Sequence, residues 1–595
     1  MGKISYQLVG RNSIDNVQEC FLENRGVKDA HKYLNLNESV VNDYDDLDNI
    51  EEAVDLYLTH IVKNPAEHIA ILVDCDADGF TSAAMIYRYT RMINNSTKIT
   101  YLLHSGKQHG LSNDITVPED IELLIIPDAG SSDIGQCKVL KDKGIDILIL
   151  DHHKADVKNP YAVVVNNQLS PNYENKELCG AGVVYQFLRA VDNVEWYDYA
   201  DTLLDLCAIG NIADVMDMRS YETRYLVGKG LEQIVNDGLQ ALFDKKSFDM
   251  GGRINIHGTE WNITPLINSV CRFGTQEDKE VLFKAFIGDN SETYECRVKN
   301  PETGKFEKAQ EDVYAHAARL AMNAKARQTK AVKTLMPILT DWVELYKADE
   351  HNIVFVRLPD DAEPELSGLV AIRLANKYHK PVLILKKNER EGDYYFTGSG
   401  RNFDNSPLDS LRDLLIETGC FNYVAGHDNA FGFEIENNKV KDAIKACDEL
   451  TKDIDFTQVK CDFSLSGSDL DLKFIRDVDN LQDLLGAGLK EPIVHLYDVE
   501  LYASQGEIIG KDGTTWRFNT EDDITFIKFL NKSDDTILVE LDKYLQNEDG
   551  ADDPSETKFV LSDVICTVGI NQFNSIYTPQ VQIIDYEIGV IEDEY

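Results

Sequence analysis

HIAILVDCDADGFTSAAMIYRYT (68–90) is an unbroken apolar run, a cluster of carboxylates with a glycine, and then a helical pattern. An apolar run of this length reads as a strand buried on both faces, and the pattern behind it as the helix that packs back onto the sheet. ITYLLHS (99–105) is the next strand. IELLIIPDAGSSDIGQCKVLKDKG (121–144) repeats the design, with Asp128 after the apolar run. IDILILDHHKAD (145–156) repeats it again and ends in Asp151, His152 and His153, and YAVVVNN (161–167) is a further strand. Continuous apolar strands alternating with helices predict a parallel α/β sheet. Such sheets bind ligands beyond the carboxyl ends of their strands. Asp74, Asp76, Asp78, Asp128, Asp151, His152 and His153 are therefore expected along one edge.

One aspartate at a strand end is explained by capping of the next helix. This many acids on one edge would repel each other and lose their charge unless a cation joined them. Hard oxygen donors with one or two imidazoles suit Mn²⁺ or Mg²⁺, and the nitrogen favours Mn²⁺. A further acid is offered by LLDLCAIGNIADVMDM (203–218), a helical stretch running into Asp214 and Asp217. Taken singly, Asp214 reads first as a helix cap.

The rest of the composition sets bounds. The chain has 595 residues with 103 acidic and 59 basic side chains, a formal net charge of −44. That length predicts three or four domains. No run of about 18 apolar residues and no apolar leader occurs, so neither a membrane span nor a secretory signal is expected. Eleven cysteines without a CxxC pair read as reduced thiols in a cytoplasmic protein. Net charge alone argues against a nucleic-acid partner. Its distribution argues otherwise. Residues 446–595 hold 33 acidic and 11 basic side chains, so half the charge sits in the last quarter of the chain. Val313 to Thr340 carries Arg319, Lys325, Arg327, Lys330 and Lys333 with no acid, and its pattern predicts one long helix.

DCDADG (74–79), PDAG (127–130), DHH (151–153) and AIGNIADVM (208–216) resemble the four motifs of the DHH phosphoesterase superfamily. The order of further segments resembles the RecJ single-stranded-DNA exonucleases: LENRGVKDAHKYL (22–34), LCGAGVVYQFL (178–188), INSVCRFG (267–274), SGLVAIRLANKYHKPVLIL (367–385), GSGR (398–401) and AGHDNAFGF (425–433). The resemblance implies that Asp74, Asp76, Asp128, His152 and Asp214 hold two divalent ions, Mn²⁺ preferred and Mg²⁺ possible, with Asp128 bridging them. It gives catalytic supporting roles to Asp151, His153 and Arg272, and substrate contacts to Asn268, Arg373, Ser399, Arg401 and His427, with GSGR as a phosphate-holding loop. Asp78 is left as a structural or outer acid. HSGKQHGLSND (104–114) departs from the family's Pro-x-Arg and Gly-Tyr-Gly-Leu pattern. There His104 or Lys107 stands where the family has its 5′-phosphate arginine, which leaves a strict need for a 5′ phosphate open; Lys107 is the candidate substrate-binding cation, and His109 takes the aromatic place, where it could stack on a base.

The implied architecture is an N-terminal helical leader (1–66), a DHH domain (67–308), a connecting helix (309–348) after a loop at 300–312, an α/β DHH-associated domain (349–455) and a C-terminal β-barrel OB-fold with acidic loops (456–595), NEDGADDPSE (547–556) among them. Trp516, Phe518, Phe573 and Tyr577 are the OB-fold's candidates for stacking on bases. The implied function is metal-dependent degradation of single-stranded DNA, 5′ to 3′, to mononucleotides, in recombination, repair or replication. A single-stranded-DNA-binding protein or another replication protein would meet the acidic OB-fold. Two alternatives remain at this stage: a DHH phosphodiesterase for short oligonucleotides or cyclic dinucleotides, and an inactive DHH replication scaffold.

Overall fold

The computed structural model describes residues 5–589, apart from 65–66, 107, 113–114, 156, 300–302, 391, 405, 547–557 and 574–575 and the side chains of Lys299 and Phe573. Lys107, the acidic loop 547–556 and the Phe573 ring, all singled out above, thus lie outside the described residues. The chain forms two compact units, one of residues 31–328 with 483–490, the other of residues 1–30, 329–482 and 491–595.

The first unit is built on a five-stranded, wholly parallel sheet: β1 (His68–Val73), β2 (Lys98–Leu103), β3 (Leu123–Pro127), β4 (Asp146–Asp151) and β5 (Val163–Asn166), in the order β2-β1-β3-β4-β5. Every residue of β1 is buried. Side chains alternate between sheet faces. Ile69, Ile71 and Val73 accordingly join one core cluster, and Ala70 and Leu72 join another with Leu124, Ile126 and Ile149. The first cluster is the larger. It takes in the apolar faces of α1 (Ala77–Ile93), α2 (Gly180–Glu195), α3 (Leu204–Ala213), α4 (Thr264–Phe273) and α5 (Gln276–Ile287).

The segment read as a loop at 300–312 is in part a strand. β6 (Thr293–Lys299) and β7 (Phe306–Asp312) pair as an antiparallel hairpin. β6 alternates Tyr294, Cys296 and Val298 with polar residues, but β7 (FEKAQED) is mostly charged, which hid the hairpin from an apolar pattern. Cross-strand neighbours supply the pairing instead: Lys308 meets Glu295 at 3.0 Å. The expected long helix follows as α6 (Val313–Tyr346), with Pro337 inside it. Among the described residues, Arg319 pairs with Glu311, Arg327 pairs with Asp278 at 3.0 Å, and Lys325 donates to Gln328 at 3.0 Å.

The second unit holds two further sheets. β8 (Val354–Arg357), β9 (Val382–Arg390), β10 (Asp393–Arg401), β11 (Tyr423–His427) and β12 (Ala430–Glu436) run in the order β11-β12-β10-β9-β8, with α7 (Ser367–Tyr378) between β8 and β9. Seven C-terminal strands form a mixed, OB-like sheet. They are β13 (Phe463–Ser466), β14 (Val494–Tyr502), β15 (Gly506–Ile509), β16 (Thr515–Asn519), β17 (Thr525–Lys528), β18 (Lys558–Phe573) and β19 (Ile576–Ile588), in the order β13-β14-β18-β19-β17-β16-β15. Of the expected leader, residues 5–30 pack in this unit: Tyr6–Leu8 pairs in parallel with Val459–Cys461, and Arg25 holds the buried Asp462 at 2.8 Å. Trp516 and Phe518 are fully buried and Trp516 Nε1 donates to Asp535, so these two are core residues and not a base-stacking surface. Tyr577 is exposed.

Among the described residues, no helix is long and apolar enough to cross a membrane.

Candidate active site

The predicted edge exists in the first unit. Asp74 follows β1, and Asp76 caps the N-terminus of α1, accepting from Gly79 N–H at 3.2 Å. Asp128 follows β3 with φ +65°, a left-handed backbone that a non-glycine residue adopts at a cost. Its N–H donates to Leu150 O at 2.8 Å, which fixes that turn against the neighbouring strand. Asp151 is the last residue of β4. Asp214 ends α3, where Met216 N–H reaches Asn211 O and Val215 N–H reaches Ile212 O. That pair of bonds closes a helix on a left-handed residue, usually glycine. Here it is Val215, with φ +59°.

His152 is the hub. Its Nε2 lies 3.2 Å from Asp128 Oδ1, 3.4 Å from Asp214 Oδ2 and 3.9 Å from Asp78 Oδ2. Asp128 Oδ1 and His152 Nε2 are both buried with no hydrogen bond. Burial, and then the charges of Asp78, Asp76, Asp74 and Asp214, drive the Asp128 carboxyl well above its ordinary pKa. A divalent cation would answer both the orphaned atoms and the repulsion. Among the described residues, three groups bring their donor atoms within 4.8 Å of one another: Asp128, His152 and His153; Asp78, His152 and Asp214; Asp74, Asp76 and His109. The donors are carboxylate oxygens with a minority of imidazole nitrogens, a set that fits Mn²⁺ or Mg²⁺.

The neighbours are differently engaged. Asp151 accepts from the N–H groups of Ser131, His152 and His153 and from His153 Nδ1 at 2.8 Å. Burial opposes its charge, but these bonds and the His153 and His152 charges hold its carboxyl far below the usual range. Burial also opposes a charged His153, and the Asp151 bond and charge outweigh it, pushing the imidazole up to about 10. Asp151 therefore orients His153. Arg272 Nη2 pairs with Asp76 Oδ2 at 3.0 Å. Asn268 accepts from Ala77 N–H at 3.1 Å, fixing the first turn of α1. His109 Nδ1 lies 2.5 Å from Asp74 Oδ2, and its ring is half exposed.

Asp78 takes the structural place expected of it, whereas Gly180 and Lys279 carry no sequence signal for their roles. Asp78 accepts from Gly180 N–H at 2.7 Å and Ala181 N–H at 2.9 Å, so it caps α2 from 102 residues away. Gly180 in turn allows close packing on Asp128: a Cβ there would stand 2.5 Å from the Asp128 Cβ. Lys279, only 2% exposed, donates to the carbonyls of His104 at 3.0 Å and Gly106 at 3.1 Å. In QEDKEVLF it reads as a solvated helix residue, and no local signal marks it.

The remaining predicted residues lie in the second unit. GSGR is not a loop. It is the end of β10, paired with β9 on one side and β12 on the other. Its peptide groups belong to those ladders, and its glycines serve packing: a Cβ at Gly400 would meet the Phe431 ring at 2.4 Å. Ser399 is buried, with its Oγ 2.8 Å from Ser367 Oγ at the start of α7. Arg401 Nη1 donates to Gly400 O, and its guanidinium lies against Gly368. Arg373 is exposed on α7, and His427 ends β11.

The DHH family N-terminal domain model matches residues 68–211. YorK of Bacillus subtilis (strain 168), derived from the SPbeta prophage and named as a single-strand DNA-specific exonuclease, is 33% identical over 588 residues, covering 98% of each chain. The chain belongs to the RecJ-like exonucleases of the DHH superfamily. The RecJ of Bacillus subtilis (strain 168), a single-stranded-DNA-specific exonuclease, is 25% identical over 435 residues, 71% of this RecJ-like chain and 50% of that protein. The crystal structure of RecJ in complex with Mn²⁺ from Thermus thermophilus shares the fold with a TM-score of 0.68 at 18% identity, over 99% of this chain and 79% of that one.

Proposed function

We propose that this RecJ-like chain is a metal-dependent exonuclease that degrades single-stranded DNA 5′ to 3′ to mononucleotides. The observation that carries the reading is the buried Asp128–His152 pair, orphaned of hydrogen bonds and ringed by Asp74, Asp76, Asp78 and Asp214. Asp74, Asp76, Asp128, His152 and Asp214 would hold two divalent ions, with Mn²⁺ favoured by the imidazole. Such ions supply charge neutralisation at a scissile phosphate and lower the pKa of water. That RecJ from Thermus thermophilus is crystallised with Mn²⁺ and with Mg²⁺ supports this reading.

The protein's own groups do the rest. Asp151 fixes His153 through Nδ1 and leaves its other nitrogen for a phosphate oxygen. A charged imidazole there would hold the strand or give a proton to the leaving oxygen. Arg272, seated on Asp76, offers guanidinium donors to phosphate. Ser399 and Arg401, gathered at the N-terminus of α7, offer a second anion site, where helix N–H groups favour negative charge. Arg373 and His427 would contact the strand further along. The acidic OB-like region would contact a basic partner, a single-stranded-DNA-binding protein or another protein of recombination and replication.

The test is a comparison of substrates. In Mn²⁺, a long single strand should be consumed at least tenfold faster than the matching blunt duplex or a cyclic dinucleotide. Preference for the dinucleotide would favour the small-phosphodiesterase reading. Binding without turnover of any of them would favour a scaffold.

A further inference from the structure

We propose that His109 is a nitrogen ligand of the ion held by Asp74 and Asp76, and that it biases this chain toward Mn²⁺ over Mg²⁺. The inference rests on the metal-dependent reading above.

His109 Nδ1 lies 2.5 Å from Asp74 Oδ2, and one donor atom each from Asp74, Asp76 and His109 fall within 4.8 Å of one another. Bonds to such ions run about 2.0–2.6 Å, so donors sharing one ion stand no more than about 4–5 Å apart. The three side chains thus lie within reach of one ion, which would take the place of the His109–Asp74 hydrogen bond.

The segment carrying the ring is tied down on both sides. Downstream, Gly110 N–H donates to Asp74 Oδ1 at 3.0 Å and Leu111 N–H to Asp133 Oδ2 at 2.8 Å. Upstream, the buried Lys279 ammonium holds the carbonyls of His104 and Gly106. A ring that stacks on passing bases needs its face free and some latitude to follow them. This ring has its nitrogen fixed on a carboxylate of the metal edge. Preorganisation of that kind suits a ligand.

The chemistry of the substitution points the same way. The pattern this segment resembles has tyrosine at position 109, and a phenol with a pKa near about 10 is a poor ligand at neutral pH. Imidazole is a good one, and it discriminates: nitrogen donors favour Mn²⁺, whereas Mg²⁺ takes oxygen.

The test is metal binding, read without catalysis. Mn²⁺ and Mg²⁺ are titrated by calorimetry into the metal-stripped full chain, for wild type, His109→Ala and His109→Tyr, with circular dichroism to check folding. Electron spin-echo spectra of the Mn²⁺ forms count coordinated nitrogens. The expected result is a loss of Mn²⁺ affinity of about tenfold or more in both variants, with a much smaller loss for Mg²⁺, and the disappearance of one nitrogen. Unchanged Mn²⁺ affinity and an unchanged nitrogen count would overturn the inference while leaving the metal site intact, and weakened single-strand binding in the same variants would then assign His109 to base stacking. Failure of wild type to bind Mn²⁺ at all would overturn the metal reading itself.

Discussion

His152 Nε2 faces Asp128 Oδ1 across 3.2 Å, and neither atom makes a hydrogen bond although both are buried. Carboxylates surround the pair, so the site is costly to the fold until a cation joins it. Asp128→Asn removes one charge and keeps a residue that tolerates the left-handed backbone at φ +65°. This variant should melt a few degrees higher than wild type without metal, a gain of about 1 kcal/mol. It should lose single-strand degradation by about a thousandfold or more. Thermal melting and a degradation assay on one preparation check both halves.

Metal should stabilise wild type and not the variant. Mn²⁺ at 100 times its dissociation constant should add about 2.7 kcal/mol to unfolding, and a chelator should remove it. Asp128→Asn should show little of this shift. An equal shift in the two proteins would place the bound ion elsewhere.

Asp78 predicts a structural cost from an isosteric change. Each of its oxygens takes one amide of the α2 N-terminus, Gly180 N–H on Oδ2 and Ala181 N–H on Oδ1. Asparagine turns an NH₂ group toward one of those amides. Asp78→Asn should destabilise the protein by about 1–2 kcal/mol, measured by urea unfolding. No loss would mean that Asp78 is already protonated, the direction in which burial moves it, helped by the Asp214 and Asp76 charges and opposed by His152.

The C-terminal sheet separates core from surface. Trp516 is fully buried and hydrogen-bonded to Asp535, so Trp516→Ala should cost about 3–5 kcal/mol. Tyr577 is exposed on β19, and Tyr577→Ala should change stability by less than about 0.5 kcal/mol. If the OB-like sheet binds DNA by stacking, Tyr577→Ala lowers single-strand affinity, measured by fluorescence anisotropy.

The metal edge was legible because two local signals coincide there. A short unbroken apolar run followed by small residues and a helical pattern reads as a fully buried strand, and a carboxylate directly after it lies at the sheet's end; Asp74, Asp128 and Asp151 follow from that. Asp214 needed the family motif, since its place depends on a helix terminus closed on Val215. What stayed hidden depends on partners far away in sequence. Asp78 caps a helix that starts at Gly180, and Lys279 is buried by a loop that starts at His104. GSGR is a phosphate-holding loop only by the family resemblance, and a strand-end turn fits its residues as well. Its glycines are instead what lets β10 pass the Phe431 ring. Trp516 and Phe518 stand only as stacking candidates in the sequence, because aromatic content does not say which face of a strand is inward.

The central claim is tested most directly by end-labelled single strands incubated with the full chain in Mn²⁺, beside a chelated sample and Asp128→Asn. The expected result is immediate release of labelled mononucleotide from the 5′-labelled strand and a shortening ladder from the 3′-labelled one, with neither in the chelated sample nor in the variant. Degradation that survives chelation or the loss of Asp128, or mononucleotide released first from the 3′ label, would contradict it.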